Sequence, residues 1–463
     1  MELFVSITLL FVFAFASIIS LYTRSLFTVI LVCLLMQFQN ILGIVLAGHN
    51  VDYLVQPVLL LKELVVYGAI VSTVVLSGVI PFSKQGLISK CVIVYLLLLF
   101  LYVIVSNATL MAALSGFRTL FTPLVLMVFG SILIMRADDC KRLLQFTVVS
   151  GIVLFVFGLL ESYFFDIDFW ITLGMPEFNH IKGFDQWANS DGIAYSFFSY
   201  DLVDIIGTSI RRMASYVAEP IAFGHIMALC FCVLLYAPRN AIFNNQLLTI
   251  IMQVCFAVGC IASLSKGAIL ISLIAVVLKM CDFKHPVSYL GLLIAGLVCL
   301  QLLSNSSVTS LQNHSDGLLG SFAGHMLTGE GVGKGGNYAG LFGESQAEGS
   351  ESFFGAMIVQ IGFPGAILFA AIFLLIFRKL FSFYGGFKQF KSNCILAGPC
   401  VFAMCCLVES IMSESAVGFL ASGIGFIALG IAFKQVSSTP ELKRSEGERR
   451  MIPSKGGVIA YEK

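Results

Sequence analysis

The chain has 463 residues, 58% of them hydrophobic, 13% aromatic and only 11% charged, with a formal net charge of +1. Soluble domains carry about 25% charged residues, so a water-soluble fold is excluded. The near-neutral balance identifies no partner by itself, and no nucleic-acid partner is expected.

Apolar runs of about 20 residues recur along the chain, long enough to cross a hydrocarbon core about 30 Å thick. The alternating ten-residue segments of a barrel are absent, so the spans must be helices. The expectation is an all-α polytopic integral membrane protein. In chain order the spans read 2–22, 25–48, 57–81, 91–106, 109–135, 144–165, 216–236, 247–263, 267–281, 287–303, 352–376, 393–413 and 415–433. That makes thirteen transmembrane helices. The first hairpin and the turn at 263–267 are ambiguous, so twelve to fourteen fit. Residues 1–433 form one transmembrane domain with long polar loops at 166–215 and 304–351, followed by a polar tail, 434–463.

Lys and Arg set the orientation. Arg24, Lys84, Lys90, Arg136, Lys141, Arg142, Arg239, Lys279, Lys284, Arg378, Lys379, Lys388 and Lys391 fall in or beside alternate short loops, and the tail adds more. That side is expected to face the cytoplasm, which makes the polar tail cytoplasmic. Both long loops then face outward, as does the N-terminus in a thirteen-span layout. Residues 2–22 have no basic flank before them and no small-residue cleavage site after them, unlike a signal peptide. The thirteen cysteines fall in spans or short inward loops, so no disulfide framework is expected on the outward surface. No Cys–His metal spacing occurs, and no metal or cofactor is expected.

Charges within or at the ends of spans are costly and mark candidate sites. Lys62 and Glu63 lie in LLLKELVVYG, Arg118 in SGFRTLFTPL, Glu161 in GLLESYFF, Glu219 in YVAEPIAFG and Glu409 in LVESIMSES. Snorkelling from a helix end competes with a functional role at Arg118, Glu161 and Glu409. Trp170, Trp187, Tyr195 and Tyr200 in the first long loop are either sugar-stacking or interfacial aromatics. Arg211 and Arg212 stand at the outer mouth of the seventh span, and Lys266 occupies a tight outward turn between spans. Outward positive charge runs against the topological bias. It points to an anionic ligand such as phosphate, or else to lipid headgroups. In the second loop GEGVGKGGNYAG resembles a P-loop only superficially. Thr328 stands where the first Gly should be, and Gly335, not Ser or Thr, follows Lys334. His180, His314 and His325 lie in the outward loops and are candidate acid–base groups. Glu351 opens the span after the second loop, where a helix N-terminus favours a carboxylate.

Together these places resemble the superfamily of O-antigen polymerases and O-antigen ligases, bacterial inner-membrane glycosyltransferases. Arg212, Ser215 and Pro220 in RRMASYVAEP match an outward Arg motif of that family, and SLSKGAIL matches its Ser-x-Ser-Arg-Gly turn with Lys266 in place of Arg. Gly331-Val332-Gly333 matches a Gly-Val-Gly turn in the large loop. Glu351-Ser352, Gly362 and Gly365 fit the frame of the ligase signature, but Glu351 stands where the ligase has its His. That departure favours the polymerase branch. The resemblance covers roughly 109–433.

The resemblance implies polymerisation of undecaprenyl-diphosphate-linked oligosaccharide repeat units at the periplasmic face of the inner membrane, for O-antigen, capsule or exopolysaccharide. The partners are a lipid-linked donor, a lipid-linked acceptor and the bilayer; the resemblance leaves room for a chain-length regulator. Arg212, Glu351 and Lys266 are the catalytic candidates: the two cations face the leaving diphosphate and Glu351 serves as base. Arg211, His314, His325, Lys334 and Trp187 are the substrate-binding candidates. A ligase that moves glycan to another acceptor, and a transporter or flippase of lipid-linked sugars, are the alternatives. The latter would account for Lys62, Glu63 and Arg118 as pathway charges.

Overall fold

The protein is described by a computed structural model over residues 2–78, 82, 86–200, 207–238, 242–280, 327–342 and 352–450. Six helices run back and forth first: α1 (Glu2–Thr23), α2 (Leu26–Gly48), α3 (Asp52–Ser77), α4 (Leu87–Ile104), α5 (Leu110–Ile132) and α6 (Ala137–Phe164). Two short helices, α7 (Asp168–Leu173) and α8 (Met175–Ile181), open the first long connection. An antiparallel pair closes it, β1 (Phe198–Ser199) against β2 (Ile210–Arg211), with Phe198 opposite Arg211. Then come α9 (Pro220–Tyr236), α10 (Gln246–Ala262), α11 (Lys266–Met280), α12 (Asn337–Leu341), α13 (Phe353–Tyr384), α14 (Phe387–Asn393), α15 (Ala397–Glu409) and α16 (Phe419–Arg450).

The chain is therefore an all-α multi-pass protein. Among the described residues seven helices are long and apolar enough to cross a bilayer, and α9, α10 and α15 are shorter apolar helices. Twelve of the thirteen expected spans coincide with a helix; the span at 287–303 lies outside the described residues. Local chemistry sets several starts. Thr109 accepts from the Ala112 N–H, Asn245 from the Leu248 N–H, and Ser352 from the Gly355 N–H. Each satisfies an amide that has no partner within its own helix. Pro220 opens α9, where a missing N–H costs nothing.

The alternating helices create two ends. At one, lysines cover the last carbonyls of helices, which carry partial negative charge. Lys434 Nζ donates to Leu133 O at 2.6 Å and Lys391 Nζ to Leu278 O at 3.0 Å. The Ile134 N–H reaches Arg24 O at this end. The other end carries the described parts of the long connections, 166–200, 207–215 and 327–342, and is called the loop end. Between them the core is tightest where α5 crosses α16. A Cβ on Gly130 would strike Ile427 O, and one on Gly430 would strike Met127 O. The two backbones touch because neither residue has a side chain, the usual way for apolar helices to gain close packing in lipid.

Candidate functional site

Arg211 and Arg212 leave β2 in different directions. Arg211 turns back to α6. Its Nη2 pairs with Glu161 Oε1, and its Nη1 donates to Phe165 O at 2.7 Å. Glu161 is fully buried and also accepts from Trp170 Nε1 at 2.9 Å and Ser162 Oγ at 3.2 Å. Glu161 therefore does not snorkel; it is the hub that ties α6, α7 and β2 together. Arg211 is committed to that hub.

Arg212 points the other way. Its Nε donates to Ser263 O at 2.8 Å, in the turn between α10 and α11. The adjoining backbone reinforces the contact, with the Met213 N–H donating to Ala262 O at 3.1 Å. Lys266, the first residue of α11, leaves this same turn. Both segments are strained. Positive φ is uncommon outside glycine, and three of the six described non-glycine residues that adopt it lie here: Ser215, Ala218 and Leu264. Such strain persists only where the surroundings enforce it, and it clusters at functional sites.

Beneath the turn lies a buried ion pair. His225 Nε2 meets Glu409 Oε2 at 2.8 Å, and His225 Nδ1 meets Ile221 O at 2.8 Å. The side chains are 0% and 2% exposed. A carbonyl only accepts, so Nδ1 carries a proton. A second proton must lie between Nε2 and the carboxylate, making the pair imidazolium–carboxylate or imidazole–carboxylic acid. Glu409 Oε1 fills the space that a Cβ on Gly267 would need, which couples the pair to the residue beside Lys266.

The start of α13 is fastened to the same place. Ser352 Oγ donates to Ile411 O at 2.6 Å, and the Phe353 N–H donates to Ser410 O at 3.1 Å, one residue after Glu409. Helix α13 is then broken at Gly362, which has φ 73° and ψ 172°. The break frees carbonyls that the Gly-rich segment uses: the Glu330 N–H donates to Val359 O at 2.7 Å and the Gly331 N–H to Gln360 O at 3.1 Å. The buried Gln360 amide completes the clamp, accepting from Gly333 N at 2.9 Å and donating to Gly335 O at 2.9 Å. Gly333, at φ 94°, lies against the Ala112–Ala113 backbone of α5, so the turn requires glycine. The segment around Lys334 is a folded scaffold strapped onto α13 and α5.

Glu414, between α15 and α16, is a further acid at the loop end. Its Oε2 accepts from the Asn337 N–H at 2.7 Å, and burial pushes its pKa up to about 7 against that hydrogen bond. Its only signal in the sequence is an acid in the short link between two spans. Trp187 packs against Phe184, ring centroids 5.2 Å apart, and Phe184 in turn carries the Lys182 ammonium 4.3 Å above it. His180 meets the Asp185 carboxylate at the exposed surface. Lys62, Glu63 and Arg118 form one cluster, with Arg118 Nη2 at 2.6 Å and Lys62 Nζ at 3.5 Å from Glu63 Oε1.

The structure thus brings Arg212, the Lys266 turn and Ser352 around the end of α15, and turns Arg211 away toward Glu161. Glu351, His314 and His325 lie outside the described residues. The fold and its loop-end cluster define a multi-pass membrane protein with a strained, cation-bearing turn. No protein-family model and no curated protein matches the sequence.

Proposed function

We propose that the protein is a membrane glycosyltransferase that polymerises undecaprenyl-diphosphate-linked repeat units at the periplasmic face of a bacterial inner membrane. The acceptor hydroxyl attacks the anomeric carbon of the donor glycan. The bond from that carbon to the diphosphate oxygen breaks, and the acceptor proton passes to a base, for which Glu351 is the candidate. Arg212 and Lys266 face the diphosphate and stabilise the charge it gains on leaving. The observation that carries the reading is the docking of Arg212 on Ser263 O, in the turn from which α11 starts at Lys266, so that two basic residues from distant parts of the chain belong to one turn. Such a pair suits a diphosphate, since Arg offers a planar fork and Lys a compact charge.

A transporter of lipid-linked sugars is the second reading. The break in α13 at Gly362 favours it, because transporters use interrupted helices. Surface polysaccharide in a deletion strain separates the readings. A polymerase leaves surface glycan one repeat unit long, whereas loss of a flippase leaves no glycan outside. Full-length chains retained on undecaprenyl-diphosphate would instead identify a ligase.

A further inference from the structure

Helix α2 is an apolar span that nevertheless buries the amides of Gln37 and Asn40. A polar side chain inside a bilayer span is costly unless it is hydrogen-bonded. Both amides reach the same place, the strained turn that follows Arg212. Asn40 Nδ2 donates to Val217 O at 2.9 Å, and Gln37 Oε1 accepts from the Tyr216 hydroxyl at 3.3 Å. Gln37 Nε2 in turn donates to Ser150 Oγ on α6 at 3.2 Å. Helix α6 holds the other end of the turn, where Ser215 Oγ donates to Leu154 O at 2.8 Å. The Tyr216 ring stacks on Phe38 of α2, centroids 4.9 Å apart, and meets Phe157 of α6 edge-on at 5.5 Å. Every residue of Ser215–Val217 is thus fastened to α2 or α6.

The fastening has a conformational target. Ser215 and Ala218 hold φ of 56° and 54°, which residues with a Cβ rarely adopt. Turning over the peptide plane between Val217 and Ala218 would return Ala218 to negative φ. It would also swing Val217 O away from Asn40, so the Asn40 amide opposes that relaxation. The turn is a joint between the two halves of the candidate site. Before it lies Arg212, whose N–H donates to Phe197 O at 2.9 Å and whose Nε donates to Ser263 O at 2.8 Å. After it α9 begins at Pro220, and α9 abuts the α10–α11 turn: a Cβ on Gly224 would strike Ser263 Oγ and Ser265 Cβ. The conformation of Ser215–Ala218 therefore sets where Arg212 stands relative to the turn it docks on.

We propose that Asn40, assisted by Gln37, is a positioning residue that locks the Ser215–Ala218 joint and so seats Arg212 on the Ser263–Lys266 turn. The seating is independent of what the site binds; its consequence for catalysis rests on the polymerase reading, and two readouts on the full-length protein separate them. The first is trypsin cleavage after Arg212 in nanodiscs. That bond is shielded in the wild type, because Met213 is buried and its N–H donates to Ala262 O at 3.1 Å. Asn40→Leu is expected to speed this cleavage about tenfold, the effect of one buried hydrogen bond lost, and to leave cleavage after Lys182 unchanged. Glycine adopts positive φ freely, so Ala218→Gly added to Asn40→Leu should recover most of the protection. Wild-type cleavage in Asn40→Leu overturns the proposal. An equal rise at both sites with no recovery by Ala218→Gly overturns it too, since Asn40 would then serve general packing. Tyr216→Phe removes one hydroxyl and keeps the ring; it should speed cleavage after Arg212 about threefold. If Asn40→Leu fails to insert, wild-type cleavage in Tyr216→Phe overturns the proposal in its place.

The second readout is polymer length in cells at matched protein level. Asn40→Leu should shorten the polymer, and Ala218→Gly should restore it. Wild-type length in Asn40→Leu cells, where Arg212→Ala cells make single units only, overturns the positioning role. Wild-type length in both strains, with cleavage changed as expected, supports the joint and contradicts the polymerase reading instead.

Discussion

Adding one methyl group at Gly267 should cost the protein a large part of its stability. A Cβ there meets Glu409 Oε1, with Glu409 Cδ at 2.5 Å. The carboxylate cannot swing aside freely, because Oε2 is held by His225 Nε2 at 2.8 Å in a fully buried setting. Overpacking alone costs about 1–3 kcal/mol. Breaking a buried pair by displacing one partner costs about 3–5 kcal/mol. The two penalties overlap, so Gly267→Ala is expected to lose about 3–5 kcal/mol. Unfolding of the purified protein in detergent measures it, as a double-mutant cycle with Glu409→Ala. In the Glu409→Ala background the carboxylate is gone, and Gly267→Ala should then cost less than about 1 kcal/mol. Equal cost in both backgrounds, or a wild-type melting curve for Gly267→Ala, would refute the coupling of the Lys266 turn to the His225–Glu409 pair.

Three further outcomes follow from the same geometry. Arg211→Ala leaves the buried Glu161 carboxylate without its cation and should destabilise by about 3 kcal/mol; Arg211→Lys should recover little of that, since the Phe165 O contact needs the fork. Gln360→Leu strips partners from Gly333 N and Gly335 O, and about 1–3 kcal/mol for each buried group should appear as faster proteolysis of 327–336. Glu414 has a folded pKa of about 7 against an ordinary value of 4.5. The folded state thus holds the proton more tightly. Its contribution is complete below pH 4.5 and fades as pH rises through about 7, by about 1.4 kcal/mol per pH unit in that window. Melting temperatures at pH 5 and pH 8 should differ in the wild type and differ less in Glu414→Gln.

The helices were legible because span length and hydropathy are local properties. Even so, α3 begins at Asp52 and keeps Pro57 inside its first turns, earlier than the apolar run suggests. Helix α16 runs on through Arg450, into what read as a polar tail. Partners were not legible. Glu161 and Glu409 read as helix-end charges because no basic residue lies nearby in sequence to pair with them. Their partners Arg211 and His225 lie 50 and 184 residues away. Arg211 and Arg212 looked equivalent as neighbours, yet the alternation of an extended chain sends successive side chains to opposite sides. One therefore reaches α6 and the other the α10–α11 turn. The Gly-rich segment resembled a P-loop only superficially, and its partner, the Gln360 amide, gave no sequence signal.

The central claim is that Arg212 acts on a lipid-linked diphosphate at the Lys266 turn. It is tested most directly by polymer length in cells carrying Arg212→Ala at normal protein level. Because Arg212 also fastens Ser263 O at 2.8 Å, membrane insertion of the variant is matched to the wild type before chain length is compared. Surface glycan of single repeat units, with none of the long polymer, is the predicted result. Wild-type chain length in that strain would contradict the account.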